Sequence, residues 1–205
     1  MEVMSSITEI MFLLSNALLY PVIIALVALV VWVLIVLGQV VSEYSGRTRD
    51  LARLRKGCRD ANLYRQKNEI DEAAHALKTA GSNPLLEKYI GDVAGFIGDE
   101  RLSLESEKLL QDYELGIARE LDSLKILTRV APMLGLMGTL IPLGPALMGL
   151  SAGNIEALAS NLVVAFSTTV LGLLVGGIAY GVLLVKRRWY LQDLSDMEYV
   201  AGVLS

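Results

Sequence analysis

The chain has 205 residues, a mean hydropathy of +0.52 and a 54% hydrophobic content, too apolar for an ordinary soluble domain. The formal charge of −4 says little as a sum, because the charges are unevenly placed. The single Cys58 excludes an intramolecular disulfide. With one cysteine and one histidine (His75), neither a metal-ligand set nor a nucleophile–base constellation assembles, so no enzyme, cofactor or metal site is expected.

Three uncharged stretches, Ile10–Ser42, Val130–Ile155 and Ala157–Val185, each exceed the roughly 20 residues a transmembrane helix needs. The expected class is an all-α membrane protein with three transmembrane helices and a long cytoplasmic helical hairpin between the first and second. Residues 1–17 form an outer amphipathic segment, with Ile7, Ile10, Met11 and Leu14 at helical spacing and Ser5, Ser6 and Glu9 elsewhere around the helix. A frayed extension of the first span is the alternative. The N-terminus carries Glu2 and Glu9 rather than a basic region, so the first apolar stretch reads as an uncleaved anchor. Transmembrane helix 1 covers 18–42, opening near Pro21.

Residues 43–129 read as the cytoplasmic hairpin. Leu51, Leu54, Cys58 and Ala61 recur three or four apart, the mark of an amphipathic helix, with Gly57 as a mild interruption. Gly81-Ser82-Asn83-Pro84 is a turn signal, and Gly91, Gly95 and Gly98 suggest a loose join before a return limb. On that limb Leu104, Lys108, Gln111, Leu115, Ala118 and Leu121 form one mixed stripe. The charges read as a solvated face and inter-helix pairs. His75, among alanines, reads as a helix-surface or packed residue. Transmembrane helix 2 covers 130–150, an outer loop 151–159, transmembrane helix 3 160–185 and a cytoplasmic tail 186–205.

All 18 Lys and Arg lie between Arg47 and Arg129 or in the cluster Lys186, Arg187, Arg188. By the positive-inside rule the hairpin and C-terminus are cytoplasmic and the N-terminus outside, in a cytoplasmic (inner) membrane. Inside the spans there is no Asp, Glu, Lys, Arg or His, so this chain alone cannot bind and release a proton in mid-membrane. What remains are hydroxyls and small residues. Ala131, Gly135 and Thr139 follow one another at four-residue spacing, with Gly138 beside them. Ala165, Thr169, Gly172 and Gly176 line one face of the third span, while Ser167 and Thr168 point elsewhere. Such small-residue patterns let helix backbones approach closely in lipid. Pure packing, with each threonine bonded one turn back, is the plain alternative to a lined passage. Pro142 and Pro145 are expected to end or kink the second span near the outer face.

"APMLGLMGTLIPL", Ala131–Leu143, resembles the second-span motif of the MotA/TolQ/ExbB proton-channel family, and "VAFSTTVLGLLVGGIAYG", Val164–Gly181, resembles its following span. Three spans with a long cytoplasmic segment resemble the TolQ/ExbB branch most. The resemblance implies a homopentamer whose second and third spans surround two helices of an ExbD-, TolR- or MotB-like single-span partner. That partner supplies the titrating membrane aspartate, and ion flow drives a rotary motor that energises an envelope process such as protein transport. It also implies that Thr139 and Thr169 line the pore. Thr168 and Ser167 are candidate additional polar pore or gate residues. Gly135, Gly138, Gly172 and Gly176 are assigned to helix packing. The partners are then the lipid bilayer and protein, with no nucleic acid. Val164 replaces the branch's third-span glutamate and Ile178 its later proline. A three-span scaffold, or a permease subunit of an ATP-driven transporter, are the alternatives.

Overall fold

Seven helices and no strand make up the described residues, 2–47, 49–99 and 101–204 of this computed structural model; Met1, Thr48, Glu100 and Ser205 lie outside them. Helix α1 (Glu2–Ala17) and α2 (Leu19–Gly46) part only at Leu18. Even there the backbone bonds continue, from Leu18 N–H to the Leu14 carbonyl (3.3 Å) and from Val22 N–H to the Leu18 carbonyl (3.0 Å). Pro21 stands in the first turn of α2, where its missing N–H costs no intrahelical bond. Then come α3 (Leu51–Gln66), α4 (Ile70–Lys78), α5 (Pro84–Ala94), α6 (Leu102–Ser151) and α7 (Ile155–Leu204). Three helical stretches, Glu9–Gly46, Leu102–Ser151 and Ile155–Leu204, are long and apolar enough to cross a membrane. This is the all-α, three-span class that the apolar stretches imply.

The chain divides into two compact units, one of residues 1–39 and 123–183, the other of 40–122 and 184–205. In the first, Val33, Leu127, Ala131, Val175 and Ala179 form one buried cluster and Val22, Leu26 and Ile141 another. Helix α6 runs through Pro132, Pro142 and Pro145 without ending. Of the end or kink expected at Pro142 and Pro145, the end does not fall there: the helix continues to Ser151. A proline removes only one helix bond, and packed neighbours in a membrane bundle hold the remaining ladder together. The turn to α7 is made by Gly153 at φ +75°, followed by Asn154, whose side chain accepts the Ala157 N–H at 2.9 Å.

The second unit has a soluble-type core. Leu54, Cys58 and Ala61 of α3 are buried with Ala73 and Leu77 of α4, Leu86, Tyr89, Ile90 and Val93 of α5, and Leu102 of α6. Gly57 does not interrupt α3. A Cβ there would lie 2.4 Å from the Ala80 methyl, so the glycine is what lets the end of α4 press against α3. Asn83 caps α5, accepting the Leu86 N–H at 2.9 Å, with Pro84 in the first helical position. Gly98 takes φ +102° in the link to α6. Leu104 and Leu115, placed on the return-limb stripe, are 66% and 55% exposed. Leu102, Ser106, Leu109, Leu110 and Tyr113 turn inward instead. Residues 186–204, expected as a tail, are the last part of α7, and Met197, Val200 and Leu204 belong to this core.

Candidate functional site

Thr168 and Thr169 stand where α7 comes close to Gly135 and Gly138 of α6. A Cβ on Gly172 would lie 2.7 Å from the Ala131 carbonyl oxygen and 2.8 Å from Gly135 Cα. One on Gly176 would lie 2.7 Å from the Pro132 ring, and one on Gly138 would lie 2.6 Å from Thr168 Cβ and Oγ1. All four glycines assigned to packing therefore sit at backbone-to-backbone distance or directly beneath a side chain of the other helix. With lipid as apolar as leucine, such close contact is the main source of association between membrane helices.

The four hydroxyls separate by burial. Thr168 is 6% exposed, covered by Gly138, and donates to the Ala165 carbonyl at 2.8 Å. Thr139 and Thr169 are half-buried. Thr139 donates to the Leu136 carbonyl at 2.7 Å and Thr169 to the Ala165 carbonyl at 3.3 Å. Ser167 is exposed and donates to the Val163 carbonyl at 2.7 Å. The Thr169 backbone passes Gly135, which stands one turn before Thr139 on α6. Each hydroxyl discharges its proton donor onto its own helix and keeps its oxygen lone pairs available as acceptors.

Outside the spans several charged groups form pairs between helices, part of the solvated face and inter-helix pairs expected there. Arg47, just after α2, donates to Glu43 (3.0 Å), to the Trp189 carbonyl (3.2 Å) and to Asp193, with its guanidinium 5.1 Å from the Trp189 ring centroid. Asp193 is 1% exposed and also accepts from Asn83 Nδ2 at 3.0 Å. No donor among the described residues reaches its Oδ2. Burial pushes the Asp193 pKa up, Arg47 and Asn83 oppose this, and the Asp196 charge adds to it, for a net rise. Arg49 grips Asp196 through two bonds of 2.8 and 3.1 Å. Lys186, noted as a flanking charge, is 5% exposed and donates to Glu120, which also accepts from Tyr190 Oη at 2.6 Å. Burial works against the Glu120 carboxylate, but Lys186 and Tyr190 outweigh it and hold its pKa below the usual value. Asp193, Asp196, Met197 and Val200 recur at helical spacing. That is the signal by which this buried face could have been found.

Neither lone reactive residue gathers a catalytic set. Cys58 is fully buried, with its thiol pushed up to about 11 by desolvation, and His75 is exposed on α4. Among the described residues no group of three or more His, Cys, Asp or Glu could hold a metal ion.

No curated protein and no solved structure matches the chain. The sequence model of the MotA/TolQ/ExbB proton channel family matches residues 78–197, more than half of the length, covering α6 and α7 as far as residue 197. The chain is thus a multi-pass membrane protein that belongs to the MotA/TolQ/ExbB proton channel family.

Proposed function

We propose that this chain is the proton-conducting subunit of a motor driven by the ion-motive force. In this reading five copies form a ring in a cytoplasmic membrane, with the second and third spans inward and two helices of an ExbD/TolR/MotB-like partner in the middle. Thr139 and Thr169 present polar rings to the aspartate of that partner, with Thr168 and Ser167 as further polar or gating groups. The observation that carries the reading is family membership together with spans that hold hydroxyls but no titrating group. A proton path needs one group that binds and releases, so the missing carboxylate belongs to another chain. The hydroxyls lower the cost of bringing a charge past without themselves ionising.

Thr169→Val keeps the side-chain shape and removes the acceptor. With the partner co-expressed, it should abolish gradient-driven proton flux in reconstituted vesicles while ring assembly persists. Flux equal to that of the unmodified protein would overturn the assignment. The back-bonding of Thr139, Ser167, Thr168 and Thr169 favours a second reading, a three-span scaffold whose threonines only pack. That reading expects the same variant to leave function intact.

A further inference from the structure

The uncharged stretches of the sequence hold no arginine or lysine, but the packing of α6 puts one at membrane depth. Arg129 stands between Leu127 and Ala131, which share a buried cluster with Val33 of α2 and with Val175 and Ala179 of α7. The Thr128 carbonyl oxygen lies 3.4 Å from where a Cβ on Gly176 would be, so Arg129 is level with Val33 and Gly176. Past those levels both neighbouring helices stay uncharged for nine more residues, 34–42 of α2 and 177–185 of α7. At 1.5 Å per residue that is about 13 Å of helix, close to half of a hydrocarbon core of ~30 Å. Arg129 therefore lies well inside the apolar sleeve that α2 and α7 make beside it.

Arg129 is exposed and, among the described residues, has no hydrogen bond or ion pair. An arginine stays charged at every working pH, and a charge at this depth is costly unless water or a counter-ion meets it. Its stem is shorter than the sleeve beyond it, so snorkelling to the headgroups does not relieve that cost. On α6 it has polar company. Thr128 donates to the Lys125 carbonyl at 2.7 Å, and Lys125 is exposed one turn from Arg129. Thr128 and Lys125 precede Thr139 by eleven and fourteen residues. At 3.6 residues per turn this places them about 20° and 40° from Thr139 around α6, with Arg129 about 80° away. Hydroxyls and cations thus share the side of α6 that carries Thr139. At the same level Leu34 and Ile35 of α2, each 55% exposed, present an apolar surface that suits lipid.

We propose that the side of α6 carrying Lys125, Thr128 and Arg129 lines a water-filled vestibule, open to the cytoplasm and reaching into the membrane as far as Arg129. This rests on the ion path proposed above and names its inner end. Water at Arg129 leaves ten residues of α6, about 15 Å, up to Thr139 as the narrow, hydroxyl-bearing part of the path. A proton released beside Thr139 then meets water joined to the cytoplasm well before the apolar sleeve ends. Narrow apolar passages lose their water, and the fixed charge of Arg129 on the wall keeps this one filled. Arg129 does not replace the carboxylate of the partner, because it neither binds nor releases a proton at working pH.

The test uses full-length protein with Cys58→Ala in inverted membrane vesicles, cytoplasmic face outward, and a charged, membrane-impermeant methanethiosulfonate. Arg129→Cys should react, whereas Leu34→Cys, exposed at the same level on α2, should stay protected by lipid. Protection of Arg129→Cys overturns the vestibule and leaves the proposed function standing. Equal reaction at both positions overturns it as well, because that is the mark of a bilayer thinned around the helices, with lipid headgroups meeting Arg129. The charge is tested by proton flux with the partner co-expressed. Arg129→Leu should lower gradient-driven flux severalfold, and Arg129→Lys should keep most of it. Unchanged flux in Arg129→Leu overturns the role of the charge. Flux that survives Thr169→Val overturns the proposed ion path instead, and the labelling of Arg129→Cys is read independently of it.

Discussion

A methyl group placed on Gly172 would press on backbone atoms of α6, at 2.7 Å from the Ala131 carbonyl and 2.8 Å from Gly135 Cα. Backbone cannot swing aside as a side-chain end can, so α6 and α7 must separate along the seam. Gly172→Ala should therefore cost about 2 kcal/mol, within the range for overpacking a close contact. Gly177→Ala, one residue beyond the seam position Gly176, meets nothing within 4 Å and should be neutral or slightly stabilising. Thermal unfolding of the two variants in detergent compares them directly, and equal midpoints would refute the seam. At this scale much was legible. The four-residue spacing puts these small residues on one helix face because a helix repeats every 3.6 residues. Thr168 was harder to separate from Thr169 by sequence. Which of two adjacent hydroxyls is covered depends on Gly138 across the seam, a contact that no spacing within α7 encodes.

At the scale of elements, two carboxylates of the second unit respond to pH in opposite senses. The folded pKa of Glu120 is depressed below its ordinary 4.5, so its ties to Lys186 and Tyr190 contribute stability that is complete above that value. The contribution is lost as pH falls through the folded pKa. The folded pKa of Asp193 is raised above 3.8, so its contribution is full below 3.8 and declines as pH rises through the folded value. Glu120→Gln should thus be less stable than the unmodified chain at neutral pH, and the difference should shrink on acidification below the ordinary glutamate range. Asp193→Asn should gain relative to the unmodified chain as pH rises. Denaturant titrations at a series of pH values test both slopes, and a difference that does not change with pH in either variant contradicts the corresponding sign. Helix limits here were readable where local chemistry sets them, as at Asn83-Pro84. They were not readable where tertiary contact overrides propensity. Gly57 looks like a break until Ala80 is seen against it, and Pro142 and Pro145 look like an end until the ladder is followed to Ser151.

Taken as a whole, the chain carries its soluble core on segments far apart in sequence: α3 to α5, the start of α6, and Met197, Val200 and Leu204 from the last turns of α7. A reader of the sequence sees apolar spans easily, since each is contiguous. The second unit is harder to see because its core draws on residues as far apart in sequence as 54 and 204. All 18 basic residues belong to the unit-two helices or to the flanks of the spans, and none lies before α3 except Arg47 and Arg49 or within the Ala152–Asn154 turn. Moving that many cations across the bilayer is far costlier than moving the short turn, so the turn should face outward. In the Cys58→Ala background, Ala152→Cys should react with a membrane-impermeant maleimide added to intact cells, whereas Leu63→Cys should react only after the membrane is opened. Both positions are exposed on the protein, so a failure to label reports the membrane and not burial. The reverse pattern would contradict the outward placement of the Ala152–Asn154 turn.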